Sequence, residues 1–406
     1  MFSLLRRSVA QQVPQGAPFR AVLDDTLLRR SGNKIPGVAW RRDPLGPRFQ
    51  TNFVRAQRFL QLSAALPADN GTHRMVPIAF LHAPTPPKPQ KPSPEKQAQY
   101  RADAREARIS VLAAQQISQL RADLDQDEGG KARPLIVAFD GGYTNSTVLK
   151  NLPDNTICIG RIRQDAALYF KPDPAVMKPR GRRLRYGKAA PTPEQIRVDD
   201  DTYAWESIPL VHNGISHQLR YKRVTDLLWR TTGTLQMLQL IVIAPLGYRL
   251  RKGSRRLYRQ PAFLICTDAA LPPEQIIQSY FQRWDIEVNF RDEKTLLGVG
   301  QAQVRNESSV EAAPAFAVAS YGMLLVASQR AFGTTREALL PPPKWAANHQ
   351  SSRISTQQMI QQLRADVWGR GLGISNFSGF ASTTPPDSKP EKCFFPLASA
   401  VCYANS

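Results

Sequence analysis

The sequence predicts an α/β fold, and three observations carry that reading. Three apolar runs of strand length follow one another at residues 19–30, 52–66 and 73–82. A long stretch, Glu95 to Leu124, then repeats its apolar residues at three- and four-residue steps. After it, Pro134 to Phe139 forms a continuous apolar run that ends in Asp140-Gly141-Gly142. Strands, then a helix, then a buried strand closed by an acid and two glycines is the order of an α/β sheet with a site at its strand ends.

The chain has 406 residues, enough for one elaborated domain or two. Its 54 Lys and Arg against 33 Asp and Glu leave a net charge of +21. That balance favours a polyanionic partner, nucleic acid first and an anionic membrane second. The apolar run around Leu235 to Leu246 is broken by Gln236, Gln239 and Pro245, so no membrane span is expected. Met1 to Ser8 is too short in apolar residues for a signal peptide. Cys158, Cys266, Cys393 and Cys402 lack metal-ligand spacing, which argues for a reducing compartment without a zinc site.

In chain order, the first strand, Phe19 to Arg30, is interrupted by Asp24 and Asp25. Two carboxylates in a buried strand need a partner, and a divalent cation is one; a solvated strand end is the simpler alternative. The second and third strands are joined through Ala68-Asp-Asn-Gly71, a hairpin turn by composition. Ala83 to Pro94, rich in proline and lysine, reads as a linker. One helix is expected over Glu95 to Leu124, stopped by Gly129-Gly130. Asp140 then stands at a strand end, where glycines let a backbone or ligand approach closely, with a short helix from Ser146 to Leu152 beyond it. Tyr143 lies beside it as a lesser candidate for substrate contact.

Residues 141–286 carry strand character at Thr156–Ile162, Tyr203–Val211, Gln218–Trp229, Leu235–Ala244 and Ala262–Thr267. Two basic clusters lie among them, Lys178 to Lys188 with Arg182, Arg183 and Arg185, and Arg249 to Arg259 with Arg255 and Arg256. Glycine and proline within them suit flexible arms along a phosphate backbone, and solvated loops are the alternative. Trp205 and Trp229 are candidates either for core packing or for stacking on an unpaired base.

Pro272-Pro273-Glu274 marks a helix start, and no breaker follows before Gly298, which gives about six turns. At roughly 100° per residue, Tyr280, Arg283, Glu287 and Lys294 fall within about 60° of one another. Ile277, Phe281, Trp284 and Val288 form an adjacent apolar stripe, expected to anchor the helix to the core. A carboxylate among a phenol, a guanidinium and an ammonium suits a phosphodiester; a solvated face with i,i+4 pairing is the alternative. Ala312 to Phe332 reads as an apolar helix against the sheet and Ser355 to Arg370 as a last helix, with a break at Pro341–Pro343 and a Ser-, Thr- and Pro-rich tail from Ser375.

Tyr280-x2-Arg283-x3-Glu287-x6-Lys294 resembles the Y-R-E-K signature of IS4-type DDE transposases. The resemblance covers residues 19–335 and implies an RNase H-like catalytic core with a large β-strand insertion domain. It divides the chain into a first part of the core (1–155), the insertion (156–270), a second part of the core (271–335) and a C-terminal helix and tail (336–406). Asp24, Asp140 and Glu287 would be the catalytic, metal-binding carboxylates, with Asp25 left open as an alternative to Asp24. Tyr280, Arg283 and Lys294 would hold the DNA end, and an insertion-domain tryptophan would stack on a flipped base. Two Mg2+ ions, element ends and target DNA as substrates, a homodimer in the synaptic complex and a prokaryotic cytoplasm follow from the same resemblance. The activity implied is cleavage at insertion-sequence ends and transfer of the 3′-hydroxyl, or else a DNA-binding remnant that does not cut. Only residues 1–23 precede Asp24, where the family usually has a repeat-binding domain, so either a shortened copy or a fragment of a longer reading frame is expected.

Overall fold

The computed structural model describes all residues except 33, 44–45, 48, 68–72, 174–183, 213–214, 250–252, 333–353 and 372–406. The expected hairpin turn at 68–71, Arg182 and Arg183, the break at 341–343, Cys393, Cys402 and the tail lie outside the described residues. The first strand, β1 (Phe19–Arg29), is the axis of the sheet. Its alternation puts Phe19, Ala21 and Leu23 into one apolar cluster and Val22 into another on the opposite face. With both faces buried, the strand reads as a nearly continuous apolar run.

On one side β1 pairs antiparallel with β3 (Phe53–Leu66), which in turn pairs with β4 (Arg74–His82) and with the short edge strand β2 (Ala39–Arg42). On its other side β1 pairs parallel with β5 (Leu135–Phe139), and β5 pairs parallel with β6 (Thr156–Arg161). Three antiparallel strands followed by two parallel ones is the strand plan of an RNase H-like core. The sheet then continues from β6 through β13 (Ala262–Cys266), β10 (Leu238–Ile243) and β9 (Ile215–Trp229) to β7 (Leu168–Phe170), with β8 (Glu206–His212) also on β9. Among the described residues this makes an 11-stranded mixed sheet. The β-rich segment thus shares one sheet with the core, and its first strand, β6, is the fifth strand of the core plan. A separate two-stranded ribbon, β11 (Gly247–Tyr248) and β12 (Leu257–Tyr258), lies beyond β10.

Helices cover both faces. α1 (Phe2–Ala10), which the sequence did not announce, buries Leu5 and Val9 against β4 and ties buried Arg6 to Asp127. The single helix expected over 95–124 is two, α2 (Pro94–Glu106) and α3 (Ile109–Asp125). Only α3 carries buried residues, so its apolar stripe decides where the packed helix begins. α4 (Ser146–Lys150) is capped by the Asn145 side chain, which accepts from the N–H groups of Thr147 and Val148. α5 (Pro193–Val198) starts on a Thr192–Gln195 capping box.

The helix expected from Pro273 to Gly298 is also broken, into α6 (Pro273–Gln282) and α7 (Trp284–Thr295), at Arg283. There the backbone tightens to i→i−3 bonds, Arg283 N–H to Tyr280 O and Ile286 N–H to Arg283 O, both 3.1 Å. Each residue in such a turn advances by about 120° instead of 100°, which rotates α7 out of phase with α6. The expected apolar stripe therefore fails: Ile277 is fully buried, but Trp284 is 50 % exposed. Ile276, Ile277, Ile286 and Phe290 do the anchoring, against Val22, Ile136 and Ala138 of the sheet.

α8 (Glu307–Phe332) is long and apolar enough by length and composition to cross a membrane, a possibility the sequence reading had set aside. Its inner face instead packs on β4 and α1 through Val318, Tyr321 and Leu325. α9 (Thr356–Gly371) closes the described chain.

Candidate active site

The site is built where β5 ends beside the middle of β1. Leu23 pairs in parallel register with Phe139, so Asp24 and Asp140 are the next residues on neighbouring strands, about 5 Å apart in the sheet direction. Both continue the even-numbered face that carries Val22 and Ala138 and meets α6 and α7. Asp25, one residue on, points to the opposite face and accepts a 2.5 Å hydrogen bond from the Tyr143 hydroxyl. A period of two separates these two adjacent acids.

The turn after Asp140 folds back on itself: the Tyr143 N–H and the Thr144 hydroxyl donate to the Asp140 carbonyl at 3.0 and 3.2 Å. Thr144 is thereby laid over β6 at Gly160, where a Cβ would stand 2.3 Å from its Oγ1. Gly160 is required by that close approach.

Above the two strands, the break between α6 and α7 presents Arg283. Its guanidinium, 8 % exposed, donates to Asp24 Oδ2 at 3.4 Å and to Glu287 Oε1 at 3.0 Å, and it lies 5.6 Å from the Tyr280 ring centroid. Burial works against its charge, but Tyr280, Asp24, Glu287 and Asp140 outweigh it and hold its pKa above the ordinary value. Burial lifts Asp24 to about 7; Arg283 and the Asp25 N–H, 2.9 Å from Asp24 Oδ1, pull the other way, while Asp25 and Asp140 add to the rise. A carboxylate desolvated among other carboxylates is short of positive charge, and the donor set is hard oxygen.

That environment fits a divalent cation at Asp24 and Asp140. Glu287 is linked to Asp24 through the Arg283 guanidinium, and among the described residues no three acidic, histidine or cysteine side chains already form a metal cage.

Lys294 lies elsewhere. Seven residues along α7 carry it about 10 Å from Glu287. There its ammonium, 6.0 Å from the Phe290 ring, sits by Glu293 and Arg29, and burial lowers its pKa. Of the four signature residues, three converge.

The opposite face of α7 is buried and polar, which the sequence reading missed. Asp285 meets His73 at 2.6 Å, Gln61 donates to Glu293 at 3.0 Å, Thr356 donates to Asp292 at 2.6 Å, and the Asn289 amide donates to the Met75 carbonyl. These bonds fix the helix that carries Glu287 against β3, β4 and α9. The density of polar residues there was the available signal, but it reads equally as a solvated face.

From Arg283 a cleft of about 1210 Å³ runs between α6 and the strands after β6. Trp205, Arg256 and Tyr280 line it. The Trp205 indole donates to Asp200 at 2.8 Å and has the Arg220 and Lys222 cations 5.0 and 4.6 Å from its ring. Arg256 is exposed and lies 5.6 Å from the Tyr258 ring; Arg255 beside it is exposed too. Arg185 is exposed at the β7 end of the sheet, away from the carboxylates, and Trp229 packs on the main core at the end of β9.

Two acids side by side on parallel strands of the RNase H-like plan are now in view, and residues 3–232 match the family model described as DDE superfamily endonuclease. The chain belongs to this family. The matched span holds Asp24 and Asp140 and ends before α6 and α7. No curated protein matches the chain. As a DDE endonuclease, the protein is a transposase-like nuclease of a family that acts on DNA with divalent metal ions.

Proposed function

We propose that this DDE endonuclease is a transposase of the IS4 type, which cleaves DNA at the ends of an insertion sequence and joins the freed 3′-hydroxyl to target DNA. The observation that carries the reading is the placement of Asp24 and Asp140 on adjacent parallel strands beneath Arg283 and Glu287. Asp24, Asp140 and Glu287 would hold two Mg2+ ions, hard cations that suit three carboxylates. When bound, such ions lower the pKa of an attacking hydroxyl and stabilise the leaving oxygen.

The chain's own residues do the rest. Arg283, released from Asp24 and Glu287, is placed to take a phosphate oxygen at the cut, with Tyr280 alongside. The cleft lined by Trp205 and Arg256 receives the strand beyond it, and Arg185, Arg255 and the basic arms at Arg182 and Arg183 extend the phosphate contacts. Lys294 contacts DNA away from the cut. Trp205 is the better placed of the two tryptophans to stack on a base. Strand transfer pairs two ends and therefore two copies of the chain.

A second reading has one observation in its favour: Arg283 already pairs with both Asp24 and Glu287, as in a protein that binds DNA without cutting it. One experiment separates the two. Mg2+-dependent nicking of DNA bearing candidate ends is expected from the native chain and lost in Glu287→Gln, with binding retained. Tight binding without nicking by either protein would sink the catalytic reading.

A further inference from the structure

On the face of the sheet opposite Asp24, four side chains gather with an excess of positive charge. Asp25 pairs with Leu60 across β1 and β3, and two rungs further Leu27 pairs with Arg58, so Asp25 and Arg58 share that face. Arg41 of the edge strand β2, opposite Val54, shares it too. Tyr143 reaches in from the turn after β5, and its hydroxyl donates a hydrogen bond to Asp25.

The two guanidiniums are poorly served. Among the described residues the Arg41 guanidinium donates only to the Ala83 carbonyl at 3.4 Å and the Thr85 hydroxyl at 3.2 Å. Among the described residues the Arg58 guanidinium makes no hydrogen bond and no ion pair, and the Nε atoms of both arginines are buried without a partner. Burial, and then the charge of Arg58, press the Arg41 pKa down to about 10, with Asp25 opposing. One carboxylate, already engaged by a phenol, does not satisfy two half-buried forks that repel each other. An oxyanion with several acceptor lone pairs does.

We propose that Arg41 and Arg58 bind a backbone phosphate of the DNA strand that crosses β1 beyond the end of β5, on the side away from Asp24. A phosphodiester fits better than a free anion because Asp24 and Asp25 are consecutive and β5 pairs with β1 only as far as Leu23, so a strand seated at the acidic face can cross β1 beyond the end of β5 within reach of the opposite face. The exposed edge of β2 continues the path, where Trp40, 68 % exposed, has Arg55 5.9 Å from its ring. The inference rests on the nuclease reading for its ligand, but not on catalysis.

The test is binding of a mixed-sequence duplex to the full chain, followed by fluorescence anisotropy in EDTA over a range of KCl. Each lost phosphate contact lowers the slope of log Kobs against log salt by about 1. Arg41→Ala with Arg58→Ala is expected to lower it by about 1, Arg58→Ala alone by part of that, and Arg58→Lys to keep it. Asp25→Asn, which still accepts the Tyr143 hydrogen bond but removes the competing charge, is expected to bind more tightly. An unchanged slope in Arg58→Ala, or no gain in Asp25→Asn, overturns the proposal; so does a native chain that fails to bind. If Arg58→Ala does not fold, the Asp25→Asn result decides alone. Nicking that survives in Glu287→Gln would remove the catalytic reading and leave these slopes standing, so the two failures are distinguishable.

Discussion

Glu293 offers a test of how α7 is held. It is 1 % exposed, accepts one hydrogen bond from Gln61, and burial lifts its pKa from 4.5 to about 8; Gln61 and Lys294 pull down, and Asp292 pushes up. The folded state therefore keeps a proton that the unfolded chain loses near pH 4.5. Unfolding releases that proton between about pH 4.5 and 8, so stability is full below this window and falls as pH rises through it. At 1.36 kcal/mol per unit, the loss from pH 5 to pH 8 is about 3–4 kcal/mol as an upper bound. Glu293→Gln is neutral in both states and keeps an acceptor for Gln61. Urea unfolding at pH 5, 6, 7 and 8 should show its stability relative to the native chain rising by most of that amount, at unchanged m-value. Parallel pH curves for the two proteins would refute the reasoning.

Two further outcomes are expected. Arg283→Ala leaves Asp24 desolvated among acids, so in EDTA it should destabilise the fold by about 2–4 kcal/mol, with part of the loss recovered on adding Mg2+; urea curves with and without the ion check this. Gly160→Ala drives a methyl against Thr144 and should cost about 1–3 kcal/mol, relieved when Thr144→Ala is combined with it, which a double-mutant cycle measures.

The sequence reading placed most strands and helices close to where they lie, because their signals are local. β1 is a run of apolar residues whether or not its neighbours are known, and Asn145 caps α4 with its own side chain. Asp140 was legible for the same reason, as an acid and two glycines closing a buried run. Elements whose existence depends on distant partners were not legible. α1 is short and interrupted by arginines, and its stability comes from burying Leu5 and Val9 under β4 and from the Arg6–Asp127 pair, 121 residues apart. The phase of α7 also escaped: a uniform 100° step made Trp284 a core residue, whereas one tightened turn at Arg283 left it half exposed.

By itself, then, the sequence determined the α/β order, the strongly basic surface and the residues Asp24, Asp140, Arg283 and Glu287 as a set worth bringing together. Only the tertiary structure decided between Asp24 and Asp25 as the neighbour of Arg283, carried Lys294 away from it, and assembled Arg41, Arg58 and Tyr143 around Asp25. The physical reason is that a strand's alternation is visible in one dimension, but which of its two faces meets α6 and α7 depends on pairing with β3 and β5. That pairing is set by contacts more than 30 residues apart along the chain, such as Leu23 with Leu62 and with Phe139.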